Sequence, residues 1–425
     1  MPTVYNGSVA PGIALTCVNS DKFKTGCLSV NMVTRLQQST ASLSALLPRV
    51  LRRGSEEYPD IERISAALDE LYGAYVEPVV RKKGELHCIG LYADFPDDRY
   101  IRGAESILED VISITGGILL RPDMAGENLR EDYLAGEKKN LIDDIRAAIN
   151  DKRGYAVDRL LEEMCADEAY GVNRLGAEPE AEAITAESLT AHYRELTANS
   201  AVRLFYCGCA EPARVEDALR SSLSALPERE NTRAPAAEVL LYPRESAPRL
   251  FTQALDVAQG KLTIGFRLGR AMNTPNYPAM SVFNAIYGGS VSSKLFLNVR
   301  EKLSLCYYAN SVVDKHKGIM VVSSGVDFAK FGAAQDEILE QLALVKSGDI
   351  SDWEFQSAKR TVVTAVKSAM DRPSGLEELY FDSSVSAVYI DPEELCGMLE
   401  AVTLDDVVEV ASEVEVDSIY TMTGS

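Results

Sequence analysis

GEKKNLIDDIRAAINDKRGYAVDRLL, residues 136–161, returns in altered form as SAKRTVVTAVKSAMDRPSGLEELYF, residues 357–381. An offset of 221 sets Lys138 over Lys359, Lys139 over Arg360, Leu141 over Val362 and Gly154 over Gly375. A second pair agrees at a slightly different offset: ALLPRVLRRGS (45–55) matches AMSVFNAIYGGS (279–290) in its apolar positions, with Gly54 over Gly288. Amphipathic helices can resemble one another by pattern alone. Two matches in the same order favour a duplicated domain instead.

The segments between the repeats mix helical and strand periods. From Thr40, read as a helix cap, TASLSALLPRVLRRGS places Leu43, Leu46, Leu47, Val50 and Leu51 at helical spacing. Pro59-Asp60 opens a second helix, with Ile61, Ile64, Leu68 and Leu71 on one stripe and Gly73 as its stop. CLSVNMV, KLTIGFRLG and GIMVVSSGV read as strands. The mixture predicts an α+β fold in which helices pack on mostly antiparallel sheets. Residues 226–249 are rich in proline and charge and read as a linker. The expected domains are therefore 1–225 and 250–425.

The chain has 425 residues, 46% of them hydrophobic and 25% charged, which is ordinary for a soluble globular protein and excludes disorder. Lys plus Arg number 43 against 64 for Asp plus Glu, a net charge of −21 that argues against nucleic acid and anionic membrane as partners. No run of 18 apolar residues occurs, and no signal peptide is read at the N-terminus, so a cytoplasmic location is expected. The eight cysteines then read as reduced thiols, with Cys207 and Cys209 on one face of a core strand. His87, His192 and His316 fall in three unrelated contexts, so a histidine-based metal site is not expected. Neither a phosphate-binding G-x-x-x-x-G-K-[ST] loop nor a G-x-S-x-G elbow is present.

The stretch YGGSVSSKLFLNVREKLSLCYYANS supplies Gly288, Gly289, Ser293, Leu295, Phe296, Arg300 and Tyr307. It resembles the C-terminal half of the pitrilysin/insulinase-like peptidases, which include the mitochondrial processing peptidase subunits. There a Gly-rich loop precedes S-x-L-F, then R-E-K, then a Tyr seven residues after the Arg. The resemblance covers nearly the whole chain. It implies two duplicated domains of the LuxS/processing-peptidase-like metalloenzyme fold, forming half of a clam-shell. The family's N-terminal hallmark is H-x-x-E-H followed by G-[ST], with a further Glu in a downstream helix. Setting Gly54-Ser55 on G-[ST] puts Ala45, Pro48 and Arg49 on the H, E and H positions, and Asp144 aligns best with the downstream Glu.

That substitution removes the chemistry. Zinc needs neutral imidazoles or carboxylates. Ala45 offers no donor, Arg49 brings a permanent positive charge, and Pro48 stands where the base would be. An interior proline also costs about 3 kcal/mol and predicts a kink. Asp144 alone cannot hold a metal, so no cofactor is expected in this chain and zinc only in a partner.

In the family the matching Arg and Tyr lie across from the zinc and hold the peptide carbonyl and its developing oxyanion, which assigns those roles by resemblance to Arg300 and Tyr307. The local alternative has Arg300 completing a helix C-terminus by charge and Tyr307 starting a core strand. Gly288 and Gly289 read as a turn at positive φ, although the family's zinc-free subunit uses its Gly-rich loop to handle substrate. Arg52-Arg53 and Arg81-Lys82-Lys83 read as solvated faces.

A narrower resemblance rests on NSDKFKTGCLSV, LLPRVLRRGSEEYPD and ALDELYGAYVEPVVRKKGELHCIGL. These are similar to a bacterial branch that lacks the zinc motif, is associated by name with the aminopentanol modification of elongation factor P, and commonly has a zinc-bearing paralogue as its neighbour. Nothing in the sequence itself speaks of elongation factor P. The resemblance implies a non-catalytic subunit, inactive as a peptidase alone, that pairs with a zinc-bearing homologue and contributes Arg300 and Tyr307. By charge, the peptide favoured is basic. The other reading is an inert scaffold or peptide-binding protein, as a homodimer, tied to modification of another protein.

Overall fold

The computed structural model describes residues 3–103, 106–227, 229, 234–235, 238–386 and 388–424. Its N-terminal half runs β1 (Thr3–Ala10), β2 (Ile13–Asn19), β3 (Thr25–Arg35), α1 (Gln38–Leu51), α2 (Ile61–Glu70), β4 (Tyr75–Lys83), β5 (Leu86–Pro96), α3 (Ile107–Leu120), the short pair β6 (Met124–Ala125) and β7 (Asn128–Leu129), α4 (Glu131–Ala147), α5 (Lys152–Met164), α6 (Glu178–Glu182), α7 (Ala186–Asn199), β8 (Ala201–Gly208) and α8 (Pro212–Ser222). The C-terminal half runs β9 (Arg249–Leu255), β10 (Gly260–Arg267), α9 (Pro278–Tyr287), a π-helical segment (Leu295–Lys302), β11 (Cys306–Asp314), β12 (Ile319–Val326), α10 (Phe331–Lys346), α11 (Asp352–Ala369), α12 (Pro373–Ser386), α13 (Pro392–Ala401), α14 (Leu404–Glu413) and β13 (Glu415–Gly424).

The duplication is written into the strand order. One sheet runs β1-β2-β8-β3-β5-β4 and the other, read from its far edge, β9-β13-β10-β12-β11. Without β1 the two orders coincide, and each has one parallel pair, β2 with β8 and β9 with β13, among antiparallel neighbours. The repeated stretches of sequence are the helix pairs α4–α5 and α11–α12. At Gly375 an added Cβ would sit 2.1 Å from the Ala369 carbonyl oxygen, so only glycine fits the tight entry to α12.

The chain forms two compact units that are not unbroken in sequence. The first comprises Met1–Arg146, Val172–Ala237 and Ala369–Tyr389; the second comprises Ala147–Gly171, Glu238–Ser368 and Ile390–Ser425. In the first, Leu28, Val30 and Met32 of β3 turn into a core with Leu46, Leu47 and Val50 of α1 and Val111 of α3. The opposite face is covered by α12, whose Leu376 and Tyr380 pack on Val18, Cys27, Phe205 and Cys207. Phe381 and Val385 of α12 pack on Val33, Leu86 and Cys88. In the second unit, α5 plays the same part: Ala156, Leu160 and Met164 pack on Ile319, Val321, Tyr420 and Met422. Both faces of β3 and β10 are therefore buried, although their sequences read as simple alternation.

Within the 226–249 stretch, residues 228, 230–233, 236 and 237 lie outside the described residues. The described ones carry no helix or strand before β9.

Three local expectations change. Thr40 does not cap α1; it lies in the first turn, and Gln37 takes the cap position without a side-chain bond. Asp60 does cap α2, accepting from the Arg63 N–H at 2.8 Å. The basic runs are not solvated faces. Arg81 donates to both Glu377 oxygens at 2.8 and 2.9 Å, Lys83 lies 2.8 Å from Asp382 and also pairs with Glu378, and Lys82 donates to the Val172 carbonyl. Arg81 and Lys83 of β4 thus grip the acidic side of α12. Arg52 is buried with its Nε on the Val76 carbonyl, and Arg53 pairs with Glu137 over the Tyr133 ring. All eight cysteines are free; Cys207 is buried in β8, whereas Cys209 falls just past the strand end and is partly exposed.

Candidate functional site: a filled metal position and an exposed Arg/Tyr segment

Helix α1 carries the three positions where the resemblance would place a zinc motif. Ala45 is wholly buried, and Pro48 is buried without ending the helix, which runs on to Leu51 while the Arg52 N–H donates to the Pro48 carbonyl. Arg49 reaches across to α4, where its Nη1 stands 2.7 Å from Asp144 Oδ2. The structure thus joins two residues 95 apart in sequence that the motif alignment also grouped.

A zinc ion does not fit these residues. Ala45 and Pro48 present no donor, and the one carboxylate is already paired with a guanidinium whose charge would repel a dication. Among the described residues no group of three or more His, Cys, Asp or Glu side chains could hold a metal ion. His87 and His192 are core residues: burial lowers the pKa of each to about 4, which keeps both imidazoles neutral. His192 Nε2 lies 2.9 Å from Ser44 Oγ, one residue before Ala45. Plasma emission spectrometry on tag-free protein is expected to find zinc far below one per chain; one bound zinc per chain would overturn this reading.

Arg300 and Tyr307 belong to the second unit; Arg300 is half-buried and Tyr307 is 62% exposed. Arg300 sits in the π-helical segment, its guanidinium 4.7 Å from the Phe296 ring centre and its Nε 3.5 Å from the Glu301 carboxylate. Tyr307 donates to Asp327 at 3.3 Å. Between them Ser304 holds a left-handed φ of 49°, and the pairing of β11 with β12 slips between Cys306 and Tyr308, so that Tyr307 occupies a β-bulge. Burial raises the pKa of the Cys306 thiol, against a hydrogen bond with Ser324 and the Arg300 charge, which both lower it. Three departures from regular backbone thus fall within 14 residues.

Gly288 and Gly289 do not turn at positive φ as expected. Gly288 has φ −152°, and neither glycine is left-handed. Their need is close approach. A Cβ on Gly288 would lie 2.6 Å from Ser311 Oγ, and one on Gly289 2.5 Å from the Asn284 side chain. Both N–H groups donate to the Asn284 carbonyl, and the Ser311 N–H donates to the Gly288 carbonyl. The glycines thus lay the loop against β11, the strand that Tyr307 enters. Asp327 and Phe296, which hold Tyr307 and Arg300, have no role in the sequence reading, although Phe296 lies within its S-x-L-F pattern.

Residues 183–362 match the peptidase M16 inactive domain. "Probable inactive metalloprotease YmfF" of Bacillus subtilis (strain 168) is 31% identical over 418 residues, spanning 97% of this chain and 96% of that protein. The chain belongs to the M16 peptidase family. It is an inactive M16 homologue, in keeping with the filled metal position. An uncharacterized zinc protease of the same bacterium, YmxG, is 26% identical over 165 residues, 37% of this chain and 39% of its own length. Among solved structures, a conserved protein from Enterococcus faecalis V583 superposes with a TM-score of 0.91 at 27% identity, covering 99% of both chains.

Proposed function

We propose that this protein is the non-catalytic subunit of a two-chain M16 peptidase and holds the peptide substrate of a zinc-bearing homologue. The observation that carries this reading is the contrast between its two motif regions. The metal position is filled by Ala45, Pro48 and the Arg49–Asp144 pair, whereas the half-buried Arg300 and the exposed Tyr307 sit on irregular backbone. A chain kept only for its fold has no need of a π-helix, a left-handed serine and a bulge in one short segment. In this reading the partner supplies the metal and its water. Arg300 and Tyr307 donate to the peptide carbonyl as its oxygen gains charge, releasing their present bonds to Glu301 and Asp327. The occurrence in one bacterium of YmfF, similar over the whole chain, and of a partly similar zinc protease supports a pairing of the two kinds.

Co-expression with the zinc-bearing paralogue tests it. Activity is expected only with both chains, and Arg300→Ala or Tyr307→Phe is expected to lower kcat by about 10²-fold, the usual effect of removing one oxyanion donor. Activity unchanged in both variants removes the assigned roles. The scaffold reading is favoured by one observation, that Glu301 and Asp327 already give Arg300 and Tyr307 partners within the chain. A stable homodimer that ignores the paralogue would establish it.

A further inference from the structure

The start of α1, the second half of α7 and the end of β3 enclose a pocket of about 250 Å³ in the first unit. His192 lines its buried part and is 9% exposed. The ring's Nε2 lies 2.9 Å from Ser44 Oγ, and its Nδ1 bonds no described residue. The Ser44 hydroxyl is buried and bonds no described group but that ring, so it donates to Nε2. Burial keeps the imidazole neutral, which leaves its one proton on Nδ1, a donor presented to the pocket.

Other donors stand beside it. α1 begins at the pocket with Gln37 and Thr40 in the lining, without a side-chain cap and without an acidic residue in its first turn. The N–H groups of Gln38 and Ser39 donate to no described group, and such a helix start favours a negative charge. Arg35 also lines the pocket; it is paired with Glu85 at 3.8 Å, and its charge adds to the same field. One carboxylate shares the lining. Glu195, exposed at the rim one turn after His192 on α7, has no hydrogen bond or ion pair with a described residue. A simple anion fits poorly, because Glu195 repels it, and a simple amine fits poorly, because the donors go unmet. An α-amino acid carries a carboxylate and an ammonium on one carbon and meets both. Val33, Leu196, Ala201 and Pro235 supply an apolar lining for its side chain. A cavity of about 150 Å³ accommodates benzene, so this one has room for an amino acid of leucine's size. We infer that this pocket is a binding site for a free aliphatic amino acid, its carboxylate on His192 Nδ1 and the start of α1 and its ammonium on Glu195. The site stands on the first unit alone, and neither Arg300, Tyr307 nor a zinc-bearing partner enters it.

Calorimetry and long-range proton–nitrogen NMR of the histidine rings, on the full chain at neutral pH, provide the test. The probes are leucine, isocaproate, which lacks the ammonium, and isopentylamine, which lacks the carboxylate. Leucine is expected to bind at least about tenfold more tightly than either and to shift the His192 ring nitrogens. Glu195→Gln, a change at an exposed position, is expected to abolish the preference for leucine over isocaproate. No binding of leucine at about 10 mM, equal binding of leucine and isocaproate, or a preference that survives Glu195→Gln would overturn the site. Binding of leucine that leaves the His192 nitrogens unmoved would overturn it too.

Discussion

Cut within 226–249, the chain is expected to give two halves that cannot fold separately and that do fold together. Residues 1–237 would lack α12, and with it Leu376, Tyr380, Phe381 and Val385, each no more than 6% exposed in the intact chain. Burying four such side chains contributes roughly 1.5–3 kcal/mol each, about 6–12 kcal/mol in all, which is comparable to the whole stability of a domain. The loss also strips Arg81 of Glu377 and Lys83 of Asp382. Residues 238–425 would lack α5, baring Ile319, Val321, Tyr420 and Met422 on one sheet face. Alone, each half should aggregate and lack near-ultraviolet circular dichroism. Co-expressed, they should purify as a one-to-one complex with the spectrum of the intact chain. A monomeric half that melts cooperatively by itself would show that the exchanged helices are dispensable.

Glu168→Gln is expected to destabilise the second unit by about 3–5 kcal/mol, because it removes the buried carboxylate that two buried cations share. Arg267, 1% exposed, forks onto both Glu168 oxygens, and its Nε meets Asp417 at 2.9 Å. Lys317, fully buried, lies 2.6 Å from Glu168, and Arg249 completes the cluster 2.8 Å from Asp417. For a unit of this size the change corresponds to a fall in Tm of roughly 6–20 °C, readable by calorimetry. Arg249→Met, at the more exposed edge of the cluster, should cost much less.

The pH dependence follows from the same contacts. Burial alone would raise the pKa of Glu168, but hydrogen bonds from Arg267 and Lys317 outweigh it and hold the folded value below the usual one. For Asp417, burial is likewise outweighed by Arg249, Arg267 and Ser418. A carboxylate whose folded pKa lies below its unfolded value contributes stability that is complete above the ordinary carboxylate range, near pH 4–5, and is lost as pH falls through the folded value. The second unit should therefore soften in acid, with a shallower pH slope in Glu168→Gln. Equal slopes in urea titrations across this range would remove Glu168 from the account.

What could be read from the sequence, and what could not, divides by distance along the chain. Helices, strands and the repeat were legible because each rests on spacing within a few residues or on two stretches matching in order. The basic run Arg81-Lys82-Lys83 was misread because its carboxylates lie nearly 300 residues away on α12, where no local pattern marks them. The Arg49–Asp144 pair was hidden for the same reason, although alignment to a known motif brought both residues into view. Gly288 and Gly289 were misread because a glycine needed for close packing looks, in sequence, the same as one needed for a left-handed turn. The π-helix and the bulge at Tyr307 leave no periodic trace at all. What could be read there came from the R-E-K…Y pattern and its chemistry.

The exchange of α5 and α12 also sets a timetable for synthesis. A nascent chain that has completed β8 at Gly208 holds every strand of its first sheet, yet the helix that covers one face ends only at Ser386. At about 5–20 residues per second the ribosome needs roughly 10–40 s to make that interval. Throughout it Phe205, Cys207 and Val33 face water or whatever else shelters them. α5, meanwhile, is made early and waits for a sheet that does not yet exist. The youngest molecules of this protein are thus its stickiest, and their yield should depend on how fast translation runs through the second half.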